Sequence, residues 1–114
     1  MANTQAMCTS FKVDLLNGLH AFSSAYRTVD VFKAALFTAA SSLDAATTSY
    51  TTATTEVSGA NYSAGGITVT NATAPTSSGT TAYWNPSASF TYTNVTLATA
   101  FDAVLVYNST ATGK

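Results

Sequence analysis

Two short runs constrain this chain more than anything else in it. Residues 29–37 read Val-Asp-Val-Phe-Lys-Ala-Ala-Leu-Phe, with Phe32, Ala34 and Leu36 on one side of an extended strand and Val31, Ala35 and Phe37 on the other. Residues 101–107 repeat the pattern, with Phe101, Ala103, Leu105 and Tyr107 opposite Val104 and Val106. Successive side chains of a strand point to opposite faces, so a run that is apolar on both sides asks to be covered on both. Both runs are therefore expected to be central strands, and the rest of the chain must supply the coverings.

The spacing predicts one helix for that purpose. Met7, Phe11, Leu15 and Leu19 recur every four residues and Leu16 widens the stripe, which describes an amphipathic helix over about 8–22. Asn3, Thr4 or Thr9 would cap its start, and either Asn17-Gly18 or Ser23-Ser24 would end it. Lys12, Asp14 and Asn17 take the opposite face. Such a helix lies on its own sheet or on a neighbouring subunit, and its own sheet is the preferred choice.

The body, about 29–108, reads as strands and turns. Residues 45–57 hold a short helix at most, since their many Thr are poor helix formers. Turn signals stand at 58–61 and 64–66. Ile67, Val69 and Asn71 alternate with Thr, and the run breaks at Ala74-Pro75 and 77–79. A strand over 80–84 stops at Asn85-Pro86; Phe90 and Tyr92 alternate with Ser and Thr, and Val95 and Leu97 continue beyond Asn94. The expected fold is mostly β with one N-terminal helix: an antiparallel β-sandwich or partly open barrel of about five or six short strands, in a single domain covering 1–114. Residues 108–114 resemble a hairpin turn with no returning strand, so the sheet is expected to be completed by a partner chain or by further residues of the natural chain.

Composition narrows the function. Only 8% of residues are charged, against about a quarter in ordinary soluble domains, while 46% are hydrophobic. Thr, Ser, Ala and Asn fill the gap, and Thr suits the solvent face of a pleated sheet. Lys12, Arg27, Lys33 and Lys114 are scattered, so no phosphate-neutralising cluster exists and nucleic acid is not an expected partner. No apolar stretch approaches the roughly 18 residues of a membrane span. The N-terminus lacks the basic and apolar regions of a signal peptide, and the single Cys8 excludes an internal disulfide; synthesis in a cytoplasm is expected. A surface with so little charge has weak protection against association, which points to a subunit of an assembly.

Groups with catalytic potential are few. His20, the one histidine, has its nearest acid in sequence at Asp14, on a different helical face, and reads as a helix-end or surface residue. Cys8 has no neighbour that would lower its pKa. Asp14, Asp30, Asp44, Glu56 and Asp102 never fall at paired spacing, and no cluster of metal ligands converges. Calcium bound by loop carbonyls near Asp44 or Glu56 has little in the residues to support it. Gly65-Gly66 lacks phosphate-loop spacing, and the sequons at Asn61, Asn71, Asn94 and Asn108 are what so much Ser and Thr produces by chance. No catalytic residue, cofactor or metal is expected.

The aromatics are more informative. Six Tyr and one Trp are many for 114 residues, and these types anchor interfaces. Tyr83 and Trp84 point to opposite sides of one strand, so one of them would be exposed unless both serve the core. The candidate interaction residues are Phe11, Leu15, Leu19, Tyr62, Tyr83, Trp84 and Tyr92.

Four segments taken in order, 3–12 (NTQAMCTSFK), 30–37 (DVFKAALF), 55–66 (TEVSGANYSAGG) and 101–108 (FDAVLVYN), resemble a family of small virion proteins of tailed bacteriophages. The resemblance covers nearly the whole chain and implies a non-enzymatic particle component with no catalytic residues to carry over. Similar proteins continue past Gly113-Lys114 with further strand-forming sequence. The expected role is a head decoration or cement protein, homo-oligomeric in the virion and bound to capsid or tail subunits. The alternative is a tail or fibre-associated adhesin that presents Trp84 and nearby Tyr to a host glycan or protein. A small hydrolase or lectin-like domain is a distant third, with no nucleophile and base to name.

Overall fold

The computed structural model describes residues 3–70 and 74–114. Helix α1 (Thr9–Leu16) is followed by β1 (Phe32–Phe37), a single 3₁₀ turn (Tyr50–Thr52), β2 (Gly59–Ala60), β3 (Ile67–Val69), β4 (Thr76–Ser78), β5 (Thr81–Tyr83), β6 (Thr96–Leu97) and β7 (Ala103–Asn108). All pairing is antiparallel: a three-stranded sheet in the order β3-β1-β7 and two ribbons, β2-β6 and β4-β5. Among the described residues the fold is thus mostly strand with one short helix, as expected, and the sheets do not close into a barrel.

Strand β1 is central, and its two-sided apolar pattern is the reason. On one face Ala35 and Phe37 pack with Leu43 and Tyr107, bordered by Tyr50, Ala53 and Leu105. On the other, Phe32, Ala34 and Val69 are covered by Phe11, Phe22 and Trp84. The Phe22 and Phe32 rings stack at 4.7 Å, and Trp84 closes on them at 5.1 and 5.5 Å. Phe32 and Phe37 are 1% and 0% exposed, and burying each stabilises the fold by about 1.5–3 kcal/mol.

The second two-sided run behaves differently. Strand β7 pairs with β1 from Phe32↔Asn108 to Phe37↔Ala103, but no strand follows on its other side among the described residues. It is an edge strand, not a central one. Its Leu105 and Tyr107 face the covered side, whereas Val104 and Val106 remain 44% and 42% exposed. Alternation marks a face as apolar; it does not guarantee that the same chain covers it.

Helix α1 also departs from the periodicity, ending at Leu16 rather than near 22. Asn17 N–H closes on Val13 O, and Gly18 turns the chain away at φ 70°, a conformation that suits glycine. Of the two stop signals, the earlier one operates. No residue of α1 is buried; Phe11 holds it to the sheet, and Leu16 stands 90% exposed.

Smaller differences have local causes. Only Tyr50–Thr52 of 45–57 is helical, as the Thr content leads one to expect. Residues 59–60, within a turn signal, pair with β6, and residues 76–78, where a break was expected, form β4 of a tight hairpin turned by Gly79. Residues 89–93 form no strand, because Tyr92 points inward instead of joining a ladder: its hydroxyl donates to Ala34 O at 2.6 Å and its ring stacks on Tyr62. Asn71 lies outside the described residues.

Candidate functional site

Two polar clusters, one partly buried and one buried, fix the loops, and the open side of β7 is what they leave exposed. The first is centred on Glu56. Val57 N–H bonds to Leu36 O, while β3 reaches the opposite part of β1 only as far as Ala34↔Ile67, so the chain between must bridge a gap along β1. The Tyr62 hydroxyl fills it, accepting from Leu36 N–H at 2.9 Å and donating to Glu56 Oε1 at 2.7 Å. Gly65 N–H donates to the same oxygen at 2.7 Å and the Tyr50 hydroxyl donates to Oε2 at 2.6 Å. Tyr107, stacked on Tyr50 at 4.4 Å, donates to Gly65 O. Burial and the adjacent carboxylate push the Tyr50 phenol up to about 12. Burial raises Tyr62, Tyr92 and Tyr107 as well, so these hydroxyls stay protonated at neutral pH and act as fixed donors.

The second cluster joins the segment after α1 and the end of β7 to the start of β1. Asn108, fully buried, donates through Nδ2 to Asp30 Oδ2 at 2.7 Å and lies 2.9 Å from His20 Nδ1. Its Oδ1 accepts from Ala111 N–H, which fixes the amide orientation; Nδ1 of His20 is therefore an acceptor and the ring proton sits on Nε2. Asp30 also accepts from Ala21 N–H and from Arg27. His20 is buried against Phe11 at 4.4 Å, not on the surface, and its Nε2 has no partner among the described residues. Burial lowers its pKa, with Asp14 and Asp30 opposing the shift.

Residues 3–8 form a strap alongside β7. Asn3 secures it, accepting from Ser41 Oγ and Leu43 N–H and donating to Thr38 O and Asp102 Oδ2. Thr4 N–H bonds Leu43 O. A cleft of about 270 Å³ separates the strap from Ala103, Val104 and Leu105. Cys8 lies on its wall, half-buried, with burial raising its thiol pKa, so it stays a thiol at neutral pH. Among the described residues no three His, Cys, Asp or Glu side chains gather as metal ligands, and no helix is long and apolar enough to cross a membrane.

The candidate interaction residues divide into inward and outward sets. Phe11 and Trp84 belong to the core around Phe32, and Tyr62 and Tyr92 to the hydroxyl network. Leu19 is half-buried, its carbonyl taking a hydrogen bond from Arg27. Leu15 and Tyr83 are exposed, on different elements, α1 and β5. Sequence reasoning missed Leu16, Tyr26, Val104 and Val106, which face solvent more fully than most of the candidates. For Val104 and Val106 the available signal was the second two-sided run, whose apolar pattern asks for a cover on both faces. Comparison with family models, with curated proteins and with solved structures finds no match.

Proposed function

We propose that this chain is a structural component of a tailed-bacteriophage virion, a head decoration or cement protein that binds neighbouring subunits and catalyses no reaction. The observation that carries the assembly part is apolar surface held outward by ordered elements of a nearly uncharged chain: Leu16 on α1, and Val104 and Val106 on β7. Isolated exposed apolar residues are ordinary, but here few charges surround them, and covering them is the available gain in free energy. The phage part rests on the four-segment resemblance. A protein that binds only the assembled shell stabilises it by mass action, through apolar burial and main-chain pairing at sheet edges.

Labelling the protein in intact virions tests this directly. An icosahedral distribution, and particles that lose heat resistance when the protein is omitted, are the expected results; a signal confined to the tail would replace the decoration role with the adhesin role. Tyr83, 45% exposed on the β4-β5 hairpin, is the observation favouring that second reading. Trp84 packs on Phe22 and Phe32 and is a poor platform. Loss of cell adsorption in Tyr83→Ala with unchanged particle stability would establish the adhesin role instead.

A further inference from the structure

We propose that β7 is a homotypic pairing edge, on which a second copy of this chain docks antiparallel about a two-fold axis at Leu105. The first argument is the direction of the backbone. Ser109 N–H bonds to Val31 O, whereas Asn108 N–H points the other way, to Lys114 O. Backbone groups alternate along a strand, so Leu105 and Tyr107 bond to β1 while Val104 and Val106 turn their N–H and C=O to the open side. These two residues are symmetric about Leu105. An antiparallel second copy sets Val104 against the partner's Val106 and the reverse, making four N–H···O bonds, and the Lys114 carbonyl on Asn108 ends the ladder.

The strand itself carries none of the residues that usually block an edge. Residues 103–108 contain no Lys and no Pro. The strap makes no backbone hydrogen bond to β7 among the described residues and stands off across the cleft along Ala103–Leu105. The exposed side chains agree: Val104 and Val106 share one face, and docking forms two Val–Val cross-strand pairs there.

Charge selects a second copy in this orientation. Asp102, whose carboxylate accepts from the neutral amide of Asn3 and so keeps its charge, precedes the strand, and Lys114, 40% exposed and 3.9 Å from Asp14, sits beside its last residue. Antiparallel pairing brings each Asp102 toward the partner's Lys114, whereas parallel pairing would bring like charges together. The product is one six-stranded sheet, β3-β1-β7 continued through its symmetry mate. This goes beyond the virion assignment and does not depend on it.

Register-specific cross-linking tests the pairing. In a Cys8→Ser background of the full chain, Val104→Cys and Val106→Cys are prepared as separate proteins. Opposed residues of a hydrogen-bonded antiparallel pair lie about 5.5 Å apart at Cα, within disulfide reach. Mild oxidation of the equimolar mixture should give a covalent dimer, and oxidation of either variant alone should not. Equal cross-linking in all three samples, or none in the mixture, overturns the proposal. Sedimentation gives a second reading: the natural sequence should dimerise with concentration, and Val106→Lys should remain monomeric with an unchanged circular dichroism spectrum. A natural sequence that stays monomeric throughout overturns the proposal equally. A register-specific dimer from a protein absent from virions would leave this inference standing and remove the virion assignment.

Discussion

A second proton has no good place at His20. Its Nδ1 accepts from Asn108, whose amide is held in that orientation by Ala111 and Asp30, so protonating Nδ1 sets two donors face to face. Burial resists the charge, the carboxylates of Asp14 and Asp30 favour it, and Arg27 and Lys114 oppose it; the outcome is a pKa below the usual 6.5. The unfolded chain therefore binds this proton more readily than the native one. Stability from neutral His20 is complete above about pH 6.5 and is lost as pH falls through that value toward the lowered native pKa. The urea midpoint of the natural sequence should decline between pH 7.5 and 5.5. His20→Phe keeps a ring against Phe11 but leaves one Asn108 N–H unpaired, at a cost of about 1–3 kcal/mol at pH 7.5. Its decline over the same interval should be shallower. Parallel pH curves for the two proteins would rule out His20 as the titrating group. None of this was legible in the sequence, where the partner Asn108 stands 88 positions away and the local neighbours suggested a surface histidine.

At the level of elements, two glycines separate conformation from space. Gly66 (φ 72°) leads into β3, and a Cβ there would fall 1.7 Å from Ala34 O; Gly79 (φ 57°) turns the β4-β5 hairpin with nothing within 4 Å. Alanine at either position meets the left-handed penalty of about 1–2 kcal/mol, and only at Gly66 must β3 also move off β1. Gly66→Ala should therefore cost at least about 3 kcal/mol in denaturant unfolding, and Gly79→Ala about 1. Similar losses would mean that backbone conformation alone matters at both. The same contrast explains which elements could be read in advance. β1 was legible because its residues on both faces find partners within this chain, and the glycine pair before β3 because it precedes an alternating run. The edge position of β7 was not, since 101–107 has the same pattern as β1 and only pairing distinguishes them. The end of α1 was ambiguous between two stops, and β2 and β4 are short Gly- and Ser-containing segments whose pairing comes from their partners. For the candidate residues, an aromatic ring announces burial or contact, but the direction in which Trp84 or Tyr92 points is decided by Phe22, Phe32 and Ala34, distant in sequence.

For the whole molecule, the sparse charges are mostly spent internally, and this determines how it should bind. Arg27 pairs with Asp30, Lys114 lies 3.9 Å from Asp14, Glu56 is held by tyrosine hydroxyls, and Asp102 bonds Asn3. Lys12 and Lys33 have no ion pair among the described residues, and two dispersed cations make a weak electrostatic handle. Docking through Leu16, Val104 and Val106 instead removes apolar surface from water, a driving force that salt does not screen. Under the proposed virion role, association with particles should then be nearly unchanged between about 0.05 and about 1 M sodium chloride, where the Debye length falls from over 10 Å to about 3 Å. Sulfate, excluded from apolar surface, should strengthen it. Co-sedimentation of the purified protein with particles lacking it measures both. Release by sodium chloride would show that charged groups on the partner carry the contact, and the apolar surface described here would then need another occupant. Leu16→Ser provides the internal control: 90% exposed, it should leave folding within about 0.5 kcal/mol of the natural sequence while weakening particle binding. A variant that binds undiminished would exclude α1 from the proposed contact and leave β7 as the surface on which that proposal rests.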